Sequence, residues 1–134
     1  MVIRNAKSKD IEECLKFQKA DNENYWEKKD FKLALEDENV VFLVAENCGK
    51  VVGYVIGFHC PTKKSDVMLH ETRILKSERG KGIGTLLVKK FCDEAFKRGA
   101  RDIYALIEKD LESFYINSCK FNKSHVWIEV KKTK

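Results

Sequence analysis

The sequence predicts a single α/β domain over residues 1–134, with helices packed on a mixed β-sheet. Its 134 residues match the usual size of one domain, and a composition that is 43% hydrophobic with one proline can form a core. Segments with strand and helix periodicity alternate in the order β-α-α-β-β-β-α-β-α-β. No repeat, low-complexity tract or linker interrupts them, so we expect one continuous core.

The first half of the chain predicts a strand, two helices and a hairpin. A capping-box-like pair, Asp10 and Glu13, opens the first helix, and apolar residues at helical spacing continue it. Two segments rich in β-branched and aromatic residues flank Asn47-Cys48-Gly49 and predict the hairpin. In chain order the elements are a strand over 2–5, helices over 10–20 and 25–35, and strands over 40–45 and 50–58.

The second half predicts alternating strands and helices. Leu87, Phe91 and Ala95 recur at every fourth position of the clearest helix. Gly99 follows that helix, where a left-handed residue is favoured. The elements are a strand over 67–75, a helix over 84–98, a strand over 103–107, a short helix over 111–118 and a final strand over 126–130, where apolar residues alternate.

Charge, cysteine usage and hydropathy exclude several classes of protein. The chain has 26 Lys and Arg residues and 21 Asp and Glu residues, a net charge of +5. Basic and acidic residues are interleaved, which suits an anionic small ligand at least as well as nucleic acid. The five cysteines form no CxxC pair, so a zinc ribbon and a thioredoxin-like site are excluded and reduced thiols without a metal are expected. The longest apolar stretch, residues 51–58, is too short for a membrane helix. We therefore expect a soluble cytoplasmic domain that binds neither nucleic acid nor a membrane.

The most informative segment is the glycine loop, Arg79-Gly80-Lys81-Gly82-Ile83-Gly84-Thr85. Glycine at alternate positions lets the backbone bend so that successive N–H groups can bind one oxyanion. The helix that follows adds unpaired donors and the positive end of its dipole. Arg79 and Lys81 add positive charge. The segment therefore predicts a cradle for a diphosphate group.

Two familiar phosphate-binding motifs do not fit the glycine loop. A Walker A motif needs Lys-Ser or Lys-Thr after its last glycine, whereas Lys81 is followed by glycine. The dinucleotide pattern G-x-G-x-x-G would put its third glycine where isoleucine or leucine stands. The pattern R-x-x-G-x-G does fit, at Arg79, Gly82 and Gly84. With this loop and the order of elements around it, nearly the whole chain resembles the GCN5-related N-acetyltransferase (GNAT) family.

The resemblance implies a GNAT-like, mostly antiparallel sheet of about six strands with helices on both faces. It also implies acetyl-coenzyme A (acetyl-CoA) as the cofactor. The glycine loop would hold its pyrophosphate, and the strand before the loop would lend backbone groups to the pantetheine arm, with an N–H near Ile74 stabilising the tetrahedral oxyanion. The cofactor-binding residues implied are Thr72, Ile74, Arg79, Gly80, Lys81, Gly82, Ile83, Gly84 and Thr85.

The resemblance further implies direct attack of a primary amine on the acetyl thioester, which requires a neutral amine. At pH 7 only one part in ~10³ of a lysine-like amine is neutral, a deficit of about 4–5 kcal/mol. Some family members carry the base as a strand glutamate at the position of Met68. His70 is expected on the same strand face and Glu71 on the opposite one, and both are candidate bases. Other members place a glutamate on the next strand, where this chain has only Glu108 at the strand's end. A structural role for His70 and proton transfer through a water chain stay open.

Tyr115 is the candidate proton donor to the leaving thiolate. The family often has a tyrosine ahead of a Gly-Phe ending. Counting back from Phe121 puts Ile116 at that position and Tyr115 one residue early, and Lys120 replaces the glycine. Either a one-residue bulge brings Tyr115 into place, or the acid is absent. Because the thiol pKa is about 8.5, the absence of the acid costs only about 2 kcal/mol at neutral pH.

The residues and the resemblance together predict an acetyl-CoA-dependent N-acetyltransferase acting on a small-molecule or peptide amine. A homodimer is left open. The alternative is a non-catalytic or weakly catalytic acetyl-CoA-binding module, which the departures at Met68, Ile116 and Lys120 would suit. Aromatic residues at helical spacing more often belong to a core than to a cleft, but three of them are candidates for the acceptor cleft: Tyr25, Trp26 and Phe31.

Overall fold

The computed structural model describes residues 1–21 and 26–134, and shows helices on both faces of one sheet. The strands are β1 (Val2–Asn5), β2 (Val40–Asn47), β3 (Lys50–Cys60), β4 (Lys63–Ile74) and β5 (Asp102–Ala105). The α-helices are α1 (Ile11–Ala20), α2 (Lys28–Glu36) and α3 (Ile83–Lys97). A π-helical turn, Phe114–Ser118, follows β5, and 3-10 turns lie at Ser8–Asp10, Lys76–Glu78 and Lys109–Leu111.

The sheet has five strands in the order β1-β2-β3-β4-β5, and every pair is antiparallel except β4 with β5. The predicted fold class is confirmed, including the mostly antiparallel sheet. β5 pairs with β4 only over residues 66–69 of β4. In the described chain no strand pairs with the same edge of β4 over residues 70–74. The two parallel strands therefore part and leave an opening at the carboxyl end of β5.

The predicted final strand is wrong. Residues 121–134 are described, and none of them lies in a strand. Val126, Ile128 and Val130 alternate as a strand would, yet they are 84%, 88% and 89% exposed. Alternation supplies β-propensity, but a strand also needs a neighbour that takes up its backbone hydrogen bonds. The sheet consequently has five strands and not the expected six.

Each face of the sheet carries one hydrophobic cluster. α3 packs on β2, β3 and β4 and buries Leu87 and Phe91 completely, in the helical register that the sequence predicted. On the other face α1 and α2 pack Phe17 and Phe31 against Tyr54, with ring centroids 6.1 and 5.8 Å apart. Phe31 is fully buried in this core, so its expected place in the acceptor cleft is corrected. Tyr25, another cleft candidate, lies outside the described residues.

Asp10 organises the start of α1 differently from the predicted capping box. It is 3% exposed and accepts hydrogen bonds from the Lys7 amide at 2.8 Å and from both terminal nitrogens of Arg4 at 2.8 and 3.0 Å. Glu13, the predicted capping partner, pairs with Lys16 instead. Burial alone would raise the pKa of Asp10. The hydrogen bonds from Arg4 and Lys7 and the charge of Arg4 outweigh burial and hold that pKa below its ordinary value.

We expect Asp10→Asn to lower the free energy of unfolding by about 2–3 kcal/mol at pH 7, because Arg4 loses its buried counter-ion. Since the folded-state pKa of Asp10 is lowered, its stabilisation is present above the unfolded pKa of about 4 and is lost as the pH falls through the folded-state pKa. Urea unfolding of both proteins between pH 7 and pH 3 measures the difference, which should shrink toward the acid end.

Asp30→Asn is the matched control for this substitution. Asp30 accepts the Glu27 amide at the start of α2 over 2.7 Å, as Asp10 does at α1, but it is only half-buried. Its replacement should cost less than about 1 kcal/mol. The account of Asp10 would be contradicted by a loss no larger than that of the control, or by one that does not depend on pH.

Candidate functional site

The glycine loop connects the 3-10 turn after β4 to α3. Gly80 and Gly82 have φ angles of 78° and 82°, in the left-handed region that glycine adopts without strain. A Cβ built at either position would meet nothing within 4 Å. Backbone conformation, and not crowding, therefore selects glycine at these two positions.

The backbone amides of the loop lack acceptors within residues 1–21 and 26–134. The amide of Leu86 donates to the Gly82 carbonyl over 3.1 Å and is the first to make a helical bond at the start of α3. In the described part of the chain, the amides of residues 80–85 have neither a backbone nor a side-chain acceptor. Successive unpaired N–H groups at the start of a 15-residue helix create a positive potential that suits a phosphate. This is the geometry that a diphosphate cradle requires.

Both cations of the loop are paired with carboxylates. Arg79 contacts the two carboxylate oxygens of Asp21 at 3.0 Å and donates its Nε to the Ile74 carbonyl. Lys81 lies 2.9 Å from Glu78. The positive charges of Arg79 and Lys81 therefore lie beside the loop as predicted from the sequence, each next to a carboxylate. The unpaired amides are the donors left for an incoming anion.

Gly84, the last glycine of the motif, is needed for packing. A Cβ there would lie 3.3 Å from the ring of Phe114 and 3.6 Å from the side chain of Ile74. A glycine at this position lets the π-helical turn pack directly on the first turn of α3. The sequence motif alone gave no sign of this contact, because Phe114 lies far downstream.

A β-bulge in β4 decides which side chains share a face. The strand pairing skips His70: its neighbours Leu69 and Glu71 pair with consecutive residues of β3. His70 lies against Trp26, with ring centroids 5.6 Å apart, and Glu71 reaches Tyr54 on the same α1–α2 face. The expectation that His70 and Glu71 face opposite sides is therefore wrong, since it assumed unbroken strand alternation.

Glu71 belongs to a chain of ion pairs that extends to the glycine loop. Its carboxylate accepts hydrogen bonds from the Tyr54 hydroxyl, at 2.7 Å, and from Arg73. Arg73 also lies 3.0 Å from Asp21, which holds Arg79. Burial, followed by the charge of Glu71, raises the pKa of Tyr54 far above its ordinary value, so Tyr54 stays a donor. Sequence reasoning missed Asp21, Arg73 and Tyr54, because only the folded chain brings them together.

The π-helical turn decides the position of Tyr115. The Cys119 amide donates to the Phe114 carbonyl over 2.9 Å, an i→i+5 bond that inserts one residue into the turn. Tyr115, and not Ile116, consequently reaches β4, where its hydroxyl donates to Thr72 Oγ1 over 3.3 Å. Of the two alternatives left by the sequence, the structure contains the bulge. Burial raises the pKa of Tyr115, which outweighs the lowering by Thr72, so the phenol is protonated at neutral pH.

The residues after the π-helical turn hold it in place. The Phe121 amide donates to the Tyr115 carbonyl over 2.9 Å, and the two rings lie 5.6 Å apart. Lys120, which replaces the family's glycine, has a φ of 63°. The left-handed conformation that favours glycine is therefore retained with a lysine in place.

Three elements meet at the opening between β4 and β5: the edge of residues 70–74, the glycine loop and the π-helical turn. Thr72 and Ile74, two predicted cofactor residues, contact Tyr115 and Arg79 respectively. Burial raises the pKa of the Cys119 thiol to about 11, against a smaller lowering by the neighbouring Thr85. Ile74 thus joins the end of β4 to the glycine loop, through Arg79 and beside Gly84.

Further observations concern the described residues outside the glycine loop. A concavity of about 430 Å³ lies beside α2 and is lined by Trp26, Asp30, Leu33, Ala34, Asp37 and Val40. Within the described residues no helix is long and apolar enough to cross a membrane, and no group of three or more His, Cys, Asp or Glu side chains is arranged to hold a metal ion.

The two diverging parallel strands and the amide-rich loop after β4 agree with the fold that the sequence resemblance implies. Residues 9–121 match the sequence model of the acetyltransferase (GNAT) family, and the chain belongs to that family. GNAT acetyltransferases use acetyl-CoA, so the predicted family and cofactor are confirmed.

The similar proteins differ in the share of their length that the match with this chain covers. The curated protein L-2,4-diaminobutyric acid acetyltransferase of Nocardia farcinica (strain IFM 10152) is 34% identical over 68 residues, which cover 51% of this chain but only 35% of that relative. A transcriptional regulator from Bacillus halodurans C-125 has a similar structure, with a TM-score of 0.81, 23% identity and coverage of 98% of this chain and 99% of that one. The structure of aminoglycoside N-acetyltransferase AAC(6')-Iy in complex with CoA is also similar, with a TM-score of 0.80 and 16% identity. The match covers 99% of this chain and 100% of that one. At these identities the two structures establish the fold alone.

We expect Gly82→Ala to weaken CoA binding by about tenfold or more. Alanine at a positive φ costs about 1–2 kcal/mol, so the loop relaxes and its amides lose their common direction. Isothermal titration calorimetry with CoA measures the effect.

Gly49→Ala is the matched control. Gly49 has a φ of 76° and equally open surroundings, but lies in the β2–β3 turn outside the glycine loop. It should lose similar stability and keep its CoA affinity. Equal affinity losses in both variants, or an unchanged affinity in folded Gly82→Ala, would refute the role of the loop.

Proposed function

We propose that the protein is an N-acetyltransferase that transfers the acetyl group of acetyl-CoA to a primary amine by direct attack. One observation carries the proposal. The unpaired amides of residues 80–85 follow the strand whose free edge, residues 70–74, opens toward Tyr115. An anion-binding loop in series with a free strand edge suits a ligand that has phosphates at one end and amides along its arm.

The cofactor contacts we propose follow this order. The loop amides would bind the pyrophosphate, and backbone groups at Thr72 and Ile74 would pair with the pantetheine arm. Arg79 is 47% exposed although it is paired with Asp21, so its guanidinium is accessible to a phosphate as well. Bound acetyl-CoA supplies an activated acetyl thioester, while this chain supplies its orientation and the proton-transfer groups.

His70 is the base that the geometry favours. The imidazole is exposed beside Trp26, on the strand edge where the thioester is proposed to lie. The carboxylate of Glu71 is 11% exposed and is held by Tyr54 and Arg73, which suits a structural role. Removing the proton from a lysine-like ammonium group costs about 4–5 kcal/mol at pH 7, given its pKa. A base that accepts this proton offsets part of that cost.

We expect His70→Gln to lower kcat/KM for the amine by about 100-fold at pH 7, a usual effect of losing a general base, with little change in stability. Glu71→Gln should lower the thermal stability instead, because it weakens the pairing of Arg73, whose side chain is only 9% exposed. Steady-state kinetics and thermal unfolding of the two variants separate these roles. A large stability loss in His70→Gln, or an unchanged kcat/KM, would argue against this assignment.

Tyr115 is proposed as the acid that protonates the departing thiolate. Its phenol is protonated at neutral pH because burial raises its pKa. Because the thiol pKa is about 8.5, protonating the thiolate can lower the barrier by at most about 2 kcal/mol at pH 7.

We expect Tyr115→Phe to lower kcat by up to about 30-fold at pH 7, because about 2 kcal/mol of barrier height corresponds to that change in rate. The deficit should shrink as the pH rises above the thiol pKa, where the thiolate leaves without a proton. A pH profile of kcat measures this, with Tyr104→Phe, a half-exposed tyrosine of β5, as the control. A deficit that is independent of pH would indicate that Tyr115 only positions Thr72.

The acceptor we propose is a small-molecule or peptide amine in the cytoplasm. The concavity beside α2 shares Trp26 with the surroundings of His70 and carries the carboxylates of Asp30 and Asp37, which suit a cationic substrate. The diaminobutyrate acetyltransferase relative is named for a diamine substrate, so diamines belong in the first assay. We propose no nucleic-acid or membrane partner.

The second candidate function is an acetyl-CoA-binding module without chemistry. Met68 at the family's glutamate position and the engagement of Glu71 by Arg73 favour it. Both candidates predict stabilisation by CoA, about 3 kcal/mol at a hundredfold excess over Kd. Release of free thiol from acetyl-CoA with diamines, aminoglycosides and peptide amines separates them, since only the enzyme gives amine-dependent turnover. Failure to bind CoA at all would overturn both.

A further inference from the structure

A buried amide side chain joins α1 to the chain two residues before α2. Gln18 lies in α1 and is 2% exposed. Its side-chain Nε2 donates to the Trp26 carbonyl over 3.2 Å, and its Oε1 accepts the Trp26 amide over 2.9 Å. Burying an amide group is unfavourable unless its polar atoms are hydrogen-bonded. Because both atoms bond to the same residue, Gln18 fixes the backbone of Trp26 as a neighbouring strand would.

The indole of Trp26 reaches from this pairing to the candidate site. It stacks on the fully buried Phe31, with ring centroids 5.1 Å apart. It also contacts His70, with centroids 5.6 Å apart and an angle of 61° between the rings. This is an edge-to-face arrangement at a separation that aromatic pairs favour. Because Trp26 lines the concavity beside α2 as well, its indole is a wall shared by that concavity and His70.

The imidazole of His70 depends on aromatic neighbours for its orientation. Its position in the β4 bulge leaves it exposed. Within residues 1–21 and 26–134 the ring makes no hydrogen bond with the protein, and the rings beside it are those of Trp26 and, at 6.5 Å, Phe58. A general base has to be held in one orientation by a neighbouring group. Trp26, the nearer of the two rings, is that group here.

We propose that Gln18 is a positioning residue for acetyl transfer, which holds Trp26 against His70 and beside the acceptor concavity. The inference rests on the proposed function, because it assigns Gln18 a part in that reaction. In the described chain the side-chain amide of Gln18 bonds to no residue other than Trp26. Gln18 therefore acts through Trp26. A methionine at this position would fill nearly the same space and leave the Trp26 amide and carbonyl without their partner.

Tryptophan fluorescence tests the pairing without an assay of activity. Trp26 and Trp127 are the two tryptophans of the chain, so Trp127→Phe leaves Trp26 as the only emitter. In that background we expect Gln18→Met to shift the emission of Trp26 to the red and to increase its quenching by acrylamide, because the indole is no longer fixed. The Kd for CoA should stay unchanged, since Gln18 lies outside the glycine loop.

Gln18→Glu replaces Gln18→Met if the methionine variant does not fold. A protonated glutamic acid keeps a donor and an acceptor in the places of the amide, whereas the carboxylate has only acceptors. Relative to the wild type at the same pH, the quenching of Trp26 should be normal in acid and increase as the pH rises. Quenching in this variant that does not depend on pH would overturn the inference.

Steady-state kinetics with a diamine acceptor test whether the positioning serves the reaction. Gln18→Met should lower kcat/KM for the amine about tenfold or more, because small displacements of the groups that orient substrate and base are costly. Trp26→Ala should lower it at least as much. In the double variant, Gln18→Met should add less than about twofold to the loss caused by Trp26→Ala, because a residue that acts through another has no separate effect.

Ile11→Ala is the matched control, because Ile11 is 1% exposed and lies in α1 about two turns before Gln18. It should lose stability and keep both the quenching of Trp26 and kcat/KM. Unchanged quenching or an unchanged kcat/KM in folded Gln18→Met overturns the inference, and so do losses that multiply in the double variant. A wild-type protein that binds CoA without turnover of any amine overturns the proposed function instead, and the inference with it.

Discussion

β4 continues to Ile74 while its parallel partner β5 ends at Ala105, and the candidate site is built in the gap between them. A strand edge without a neighbour exposes amide and carbonyl groups that would otherwise be paired, and leaving such groups buried and unpaired costs about 1–3 kcal/mol each. The gap therefore has to be filled by solvent or by a ligand that can hydrogen-bond along it. The glycine loop begins just beyond this edge, so the same chain segment offers first a strand edge and then an anion cradle.

The π-helical turn closes the third side of the gap through two contacts. The ring of Phe114 packs where Gly84 has no side chain, and the hydroxyl of Tyr115 donates to Thr72. A regular helix would have put Ile116 toward the strand, so the inserted residue determines which chemistry reaches the site. Packing at Gly84 and proton chemistry at Tyr115 consequently depend on the same turn.

Electrostatics around the loop are more balanced than its sequence indicates. Arg79 and Asp21 belong to a chain of ion pairs that continues through Arg73 to Glu71, and Lys81 is paired with Glu78. These pairs offset the formal charges next to the cradle. An anion bound there would be selected mainly by the direction of the amides, which the left-handed conformations at Gly80 and Gly82 provide.

Sequence periodicity predicted the elements whose residues repeat along one face, such as α3 with Leu87 and Phe91. The need for glycine at Gly80 and Gly82 could be predicted from the sequence, because alternating glycines in a loop indicate a backbone that other residues adopt only with strain. The bulge at His70 could not be predicted, because the alternation of residues along a strand carries no sign of an extra residue. The Phe114–Gly84 contact and the pairing of Arg79 with Asp21 join distant segments, and no local pattern encodes them. The prediction of a final strand was wrong for the same reason, because β-propensity at residues 126–130 does not specify a neighbouring strand.

The central claim is that the amides of the glycine loop bind the phosphates of CoA. Backbone amide NMR during a CoA titration tests it most directly. We expect downfield shifts at Gly80, Gly82 and Gly84 that saturate with the calorimetric Kd, because N–H groups that donate to phosphate oxygens shift in this direction. Saturable CoA binding that leaves these three resonances unmoved would contradict it.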